Sequence, residues 1–465
     1  MPWNRLACGL TMLAASAAAL SDVALSQVPI TGPTVTAELP PEVLDGGGLP
    51  LPVSVSALPL DFFDDFSWRS FVALNWPAAA GGRGVPDRTK PISAPGPRVW
   101  ETWKASYETI LPTGAPPGPW DSVDGPTPCA SIPPSGSGLV RLFGSYSHFG
   151  DLNQAGFGGL SGPLVCQNRT YTRYEVRLNQ PQYEHIANQR LYLRSTLLGL
   201  TAPERFPDGS IVVKAAWREF GANDDQELRS RFYTVDAAVL DPPSGRCEPK
   251  QLGLVGLHIV HKTPLRPQWV WSSFEHVDNV PEFGQPPMPT DRFSYNSSKD
   301  PQLTDSEPPT LTLATFQASP EPNQIVRELP LHPAAPNNIG TEAMNRRYQA
   351  ALSGTVWANY QLVVTQWPRR THDPDVVPSD DIPGDPFPAA TVSMTSVANT
   401  AMESYLQTDT SCMDCHDLAR QNKTDFINFL HVHAFDDTFV KVKSQFELQL
   451  HEKKLKIHTK QRSRR

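Results

Sequence analysis

Residues 251–262 read QLGLVGLHIVHK, and residues 269–277 read WVWSSFEHV. Both are rich in β-branched and aromatic side chains, which suit a pleated, half-buried surface. The stretch between them, TPLRPQ, carries two Pro, so two strands parted by a turn are expected. Working outward, residues 210–220 (SIVVKAAWREF) and 231–240 give two further strands, and residues 170–178 alternate well enough for another. Strands at this spacing, separated by Pro, Gly and Asp turns, predict an antiparallel sheet. Trp100, Trp103, Trp217, Trp269 and Trp271 are expected in its core.

Helical pattern surrounds this block. Residues 61–76 (DFFDDFSWRSFVALNW) place Phe62, Phe66, Phe71 and Leu74 along one side, and Pro77 ends the run. Residues 98–110, 182–198, 340–352 and 393–406 also read as helical. Residues 78–97, 111–137, 281–309 and 368–388 are rich in Pro, Gly or Asp and are expected as surface excursions. No repeat of 20–50 residues occurs, so a solenoid or propeller is not expected. The fold class is α+β: a loop-rich, largely antiparallel β body with flanking helices and a short α-helical C-terminal segment. The chain divides into an export signal (1–26), an extended arm (27–58), the β-rich body (59–390), a C-terminal segment (391–436) and a basic tail (437–465).

Composition limits the function. The 465 residues carry a net charge of −8, which argues against nucleic acid as a partner. Arg5, an apolar stretch over residues 6–20 and the small-x-small Ala24-Leu25-Ser26 read as a cleavable signal. No second hydrophobic run reaches spanning length, so no transmembrane segment is expected and the location is periplasmic. In such an oxidising compartment one disulfide among Cys129, Cys166 and Cys247 is expected. Cys129–Cys166 is the favoured pair, because it staples a Gly/Pro/Ser-rich stretch. The tail, with Lys453, Lys454, Lys456, Lys460 and the final arginines, reads as a solvated terminus.

The chemistry-bearing motif is Cys412-Met413-Asp414-Cys415-His416. Two thiols three positions apart on one helical turn can both add to the vinyl groups of a haem, and the following imidazole then reaches the iron. A thioredoxin-like dithiol would be expected beside a βαβ pattern, and a zinc site would need further ligands, for which His431 and His433 are available. In Cys412, Cys415 and His416 the chain resembles c-type cytochromes. The resemblance implies one covalent haem c, His416 as axial ligand, and a redox partner protein; it covers only this short segment.

Residues 417–465 hold no Met, so the usual downstream Met ligand is not expected. The sixth position then falls to His431 or His433, to His258, His261 or His276 of the body, or stays open. Upstream Met394 and Met402 are less well placed. In a strand, His258 and His261 point to opposite faces. His276, between Glu275 and Asp278, is a candidate tuned base. Three functions follow: electron transfer at a six-coordinate iron, a peroxidase- or oxygenase-like oxidoreductase with an open iron, or a non-enzymatic haem sensor.

Overall fold

One long strand organises the sheet. β6 (Arg246–Thr263) pairs along one edge, antiparallel, with β4 (Ile211–Glu219). Its other edge is shared, β5 (Thr234–Asp241) taking the first half and β7 (Arg266–His276) the second. The sheet therefore forks at β6. Beyond β4 lie β3 (Arg173–Leu178) and β1 (Lys104–Ala105), beyond β7 lies β8 (Tyr360–Gln366), and β2 (Leu142–Phe143) adds to β5. All pairings in this eight-stranded sheet are antiparallel except β2 with β5. The computed structural model describes residues 29–30, 32–51, 60–111, 114–123, 142–143, 152, 154, 162–201, 204–241, 245–282, 284–287, 292–298, 305, 316–334, 338–367, 398–408 and 412. The expected signal (1–26), the tail (437–465), Cys129, Cys415, His416, His431 and His433 lie outside them.

Alternation along the strands gives the sheet two faces. The first carries Ile211, Val213, Leu257, Ile259, His261, Ser272 and Phe274, and is covered by α1 (Leu60–Leu74) and by α6 (Thr341–Ala351). Trp68, Phe71 and Leu74 of α1 enter this core with Met344 and Tyr348 of α6. Each such buried side chain is worth about 1.5–3 kcal/mol. Polar contacts fix the register of the layers. Ser67 Oγ lies 2.7 Å from Ser272 Oγ and 2.8 Å from Thr365 Oγ1. The Trp68 indole donates to Asn345 Oδ1 at 2.9 Å, and Asn345 both donates to and accepts from the Leu362 backbone.

The second face carries Tyr174, Val176 and Leu178 of β3, Val212, Lys214 and Ala216 of β4, Gly256, His258 and Val260 of β6, and Trp271, Ser273 and Glu275 of β7. At one end α3 (Gln180–Asn188) and α4 (Arg194–Leu198) bring Tyr183, Ile186 and Leu197 onto Leu178, Val260 and Trp271. At the other end the turns of residues 398–408 bring Ala401 and Met402 onto Tyr174 and Ala216. Two short helices, α2 (Ser106–Thr109) and α5 (Gln226–Ser230), cap strand ends.

The expected strands, the first helix and the 340–352 helix are present, and all five named Trp are buried. Several elements differ. Residues 98–110 are not one helix but a 3-10 turn (Trp100–Thr102), β1 and α2, because Trp103 is extended (ψ 164°) and feeds β1 into the sheet edge. Residues 182–198 split into α3 and α4 around Arg190, whose φ of 54° no helix accepts. The helix expected over 393–406 is absent from its described part, 398–406, which is a run of turns held by Asn399 and Thr400 side-chain contacts to β7. β8 has no counterpart among the expected elements. The surface excursion 281–309 is partly interior, since Phe293, Tyr295 and Asn296 are buried. Among the described residues no helix is long and apolar enough to cross a membrane.

Candidate functional site

The first cysteine of the motif lies on the second face of the sheet. The Cys412 backbone N–H donates to Oε1 of Gln366 at 3.0 Å, and Gln366 stands beside Trp271 in the β7–β8 register. Around it, Cys412 packs half-buried against the cluster of Leu178, Tyr183, Val260, Trp269 and Trp271. Its thiol thus borders an aromatic and aliphatic floor rather than open water. On the same side α3 and α4 close over this cluster with Tyr183, Ile186 and Leu197. One row further along the strands the floor turns polar, with Lys214, His258 and Ser273 side by side. Lys214 Nζ sits 5.3 Å above the ring of Tyr174.

The three body histidines have different fates. His261 points to the opposite face, as the strand period requires, and stacks on Phe66 at 5.5 Å between ring centres. Burial pushes its pKa down to about 4. α1 stands over that face, so His261 is kept from the Cys412 side. His276 is wholly buried: its Nε2–H donates to the Arg231 carbonyl at 3.0 Å and its Nδ1 accepts the Asp278 N–H at 3.1 Å. The ring also stacks on Phe232 at 3.8 Å. Both nitrogens are committed, and burial pushes the pKa down to about 4 despite the neighbouring carboxylates. The expectation of a carboxylate-tuned base is therefore corrected: desolvation outweighs Asp278, and His276 is a neutral structural residue.

His258 shares the face of Cys412. Its Nε2 is buried without a hydrogen-bond partner among the described residues and stands 3.6 Å from Glu403 Oε1. Glu403 is positioned in turn by the Asn399 N–H, which donates to its Oε2 at 2.9 Å. Neither Glu403 nor Gln366 was marked by any motif in the sequence. Met402 next door is packed into the core beneath the 398–408 turns and faces Gly256.

The cysteines also need a correction. Cys166 is a buried free thiol, 3.8 Å from Thr172 Oγ1, with its pKa pushed up by burial. Cys247, on β6 opposite Leu240, is the disulfide-bonded residue. The favoured Cys129–Cys166 bridge is thus excluded, because Cys166 belongs to the core around Tyr174 and Tyr295. Among the described residues no three His, Cys, Asp or Glu side chains gather as a metal-holding group. Compared with protein-family models, with curated proteins and with solved structures, the chain gives no match.

Proposed function

We propose that this chain is an exported monohaem c-type cytochrome that transfers electrons, its haem held covalently by Cys412 and Cys415 with His416 as axial ligand. The motif of residues 412–416 carries it, and the apolar surroundings of Cys412, half-buried beside the cluster of Trp269 and Trp271, support it. The donor set fits, since two thiols and an adjacent imidazole are what haem c requires. When bound, the haem supplies a one-electron ferric/ferrous couple. The chain's own residues do the rest. Gln366 fixes the backbone at the start of the motif. A redox partner protein would take the electron, which requires no substrate pocket.

Covalent attachment is the test. The purified full-length protein should keep its haem through denaturing electrophoresis and acid–acetone extraction. Cys412→Ala or Cys415→Ala should weaken the stain, and the double variant should lose it. Complete extraction of colour from the unaltered protein, or zinc in place of iron, would overturn the proposal.

A further inference from the structure

We propose that Arg231 and Arg292 form a binding site for a phosphate-type oxyanion, taken as the free ion or as a phosphate monoester; the site is independent of the haem c reading. Three segments distant in sequence meet there. Arg231 follows the end of α5, Asp278 lies just beyond the end of β7, and Arg292 opens the stretch 292–298. Asp278 is fully buried. Its Oδ2 accepts from Arg231 Nε, and its Oδ1 accepts from Arg292 Nε at 2.5 Å. The two arginine side chains, by contrast, are 35% and 47% exposed.

This use of the carboxylate leaves donors to spare. An arginine often meets a carboxylate with two parallel N–H bonds. Here each arginine gives Asp278 a single bond, from Nε, and no acceptor among the described residues takes the η nitrogens of either. Each guanidinium therefore offers an unused fork of N–H donors. One carboxylate balances only one of the two charges, so the unit keeps a net positive charge in a chain whose total is −8. Arg218 nearby is occupied: its Nη2 donates to Asp224 Oδ1 at 3.2 Å and its Nη1 to Ser294 Oγ at 3.0 Å.

The pair is also held in place from below. His276 Nε2–H and Asn359 Nδ2–H both donate to the Arg231 carbonyl, at 3.0 and 2.8 Å. The other nitrogen of His276 accepts the Asp278 N–H at 3.1 Å, and the Asp278 carbonyl accepts the Ser294 N–H at 2.8 Å. One buried imidazole thus ties the backbones of Arg231 and Asp278 together, and Ser294 ties in the segment of Arg292. Groups held this way lose less freedom when a ligand arrives. A phosphate group brings three or more acceptor oxygens, enough to engage both forks, whereas a carboxylate brings two.

The test is calorimetric titration of the full-length protein, at constant ionic strength, with inorganic phosphate, phenyl phosphate and acetate. At least one of the two phosphates should bind saturably at one site, and acetate should not. Tighter phenyl phosphate assigns the monoester, and tighter inorganic phosphate assigns the free ion. Arg231→Gln and Arg292→Gln should each weaken binding about tenfold or more, and Arg292→Lys, which keeps the charge but loses the fork, should weaken it too. Arg292 is the more exposed of the two, so its variants decide the matter if Arg231→Gln lowers the urea midpoint. Arg346→Gln, which removes an exposed arginine of α6, should leave binding unchanged. The proposal is overturned if neither phosphate binds saturably or if acetate binds as tightly. It is equally overturned if Arg292→Gln keeps the parent's affinity, or if Arg346→Gln loses as much.

Discussion

Replacing Asp64 by Asn should stabilise the protein, and more at alkaline pH than in mild acid. Asp64 is fully buried on α1, where Thr341 Oγ1 donates to it at 2.7 Å and Thr365 Oγ1 at 2.8 Å. Burial, reinforced by Asp61 and Asp65, outweighs those donors and raises its pKa from the ordinary 3.8 to about 7. Between these two values the folded state holds a proton that the unfolded chain has released, so stability falls as pH rises through the window. An interval from 3.8 to about 7, at about 1.4 kcal/mol per pH unit, sets an upper bound of about 4 kcal/mol. Asn has the same shape, accepts from one Thr and donates to the other, and never charges. Urea unfolding at pH 5 and pH 8 measures the difference between variant and parent at each pH, so that other titrating groups cancel. Asp64→Asn should be more stable than the parent by up to about 1.6 kcal/mol at pH 5 and by up to about 4 kcal/mol at pH 8. An equal difference at both pH values, or a less stable variant at pH 8, would refute a buried neutral carboxyl at this position.

Three other outcomes are expected. His261 and His276 both have pKa values lowered from 6.5 to about 4, so the stability they contribute is complete above pH 6.5 and is lost as pH falls towards 4, about 3 kcal/mol each. His276→Gln, which can keep both backbone hydrogen bonds, should therefore flatten the acid limb of a stability–pH curve; an unchanged limb counts against the burial of that ring. Gly340 has a φ of 81°, and a Cβ there would meet Ala334 N and the Pro333 carbonyl carbon at 2.5 Å. Gly340→Ala should cost about 2 kcal/mol or more in denaturant titrations, and a loss below about 0.5 kcal/mol would exclude that tight approach. Non-reducing peptide mapping should join Cys247 to Cys129, with Cys166 alkylated only after unfolding; a bridge from Cys247 to Cys415 would instead sink the haem attachment.

Much of the body was legible because its signals are local. The period-two runs around Val213, Ile259 and Trp271 need only their own side chains to declare a strand, and α1 declares itself by its aromatic spacing and the following Pro77. The attachment motif is equally local, since its chemistry lies in five adjacent residues. Even the opposition of His258 and His261 followed from strand geometry alone.

What tertiary structure decided depends on contacts between distant segments. Residues 398–406 have helical composition, yet Asn399 and Thr400 spend their hydrogen bonds on β7 and the chain turns instead. Cys166 and Cys247 are indistinguishable by spacing, and the core around Tyr174 and Tyr295 takes the first while leaving the second at the start of β6, beside the end of β5. Three histidines within 19 positions read alike in sequence. Burial, a pair of backbone partners, and one carboxylate from a segment 145 positions further on separate them into a stacked core residue, a neutral brace and a ring facing Glu403. Desolvation and pairing are properties of the assembled fold, so no window of sequence contains them.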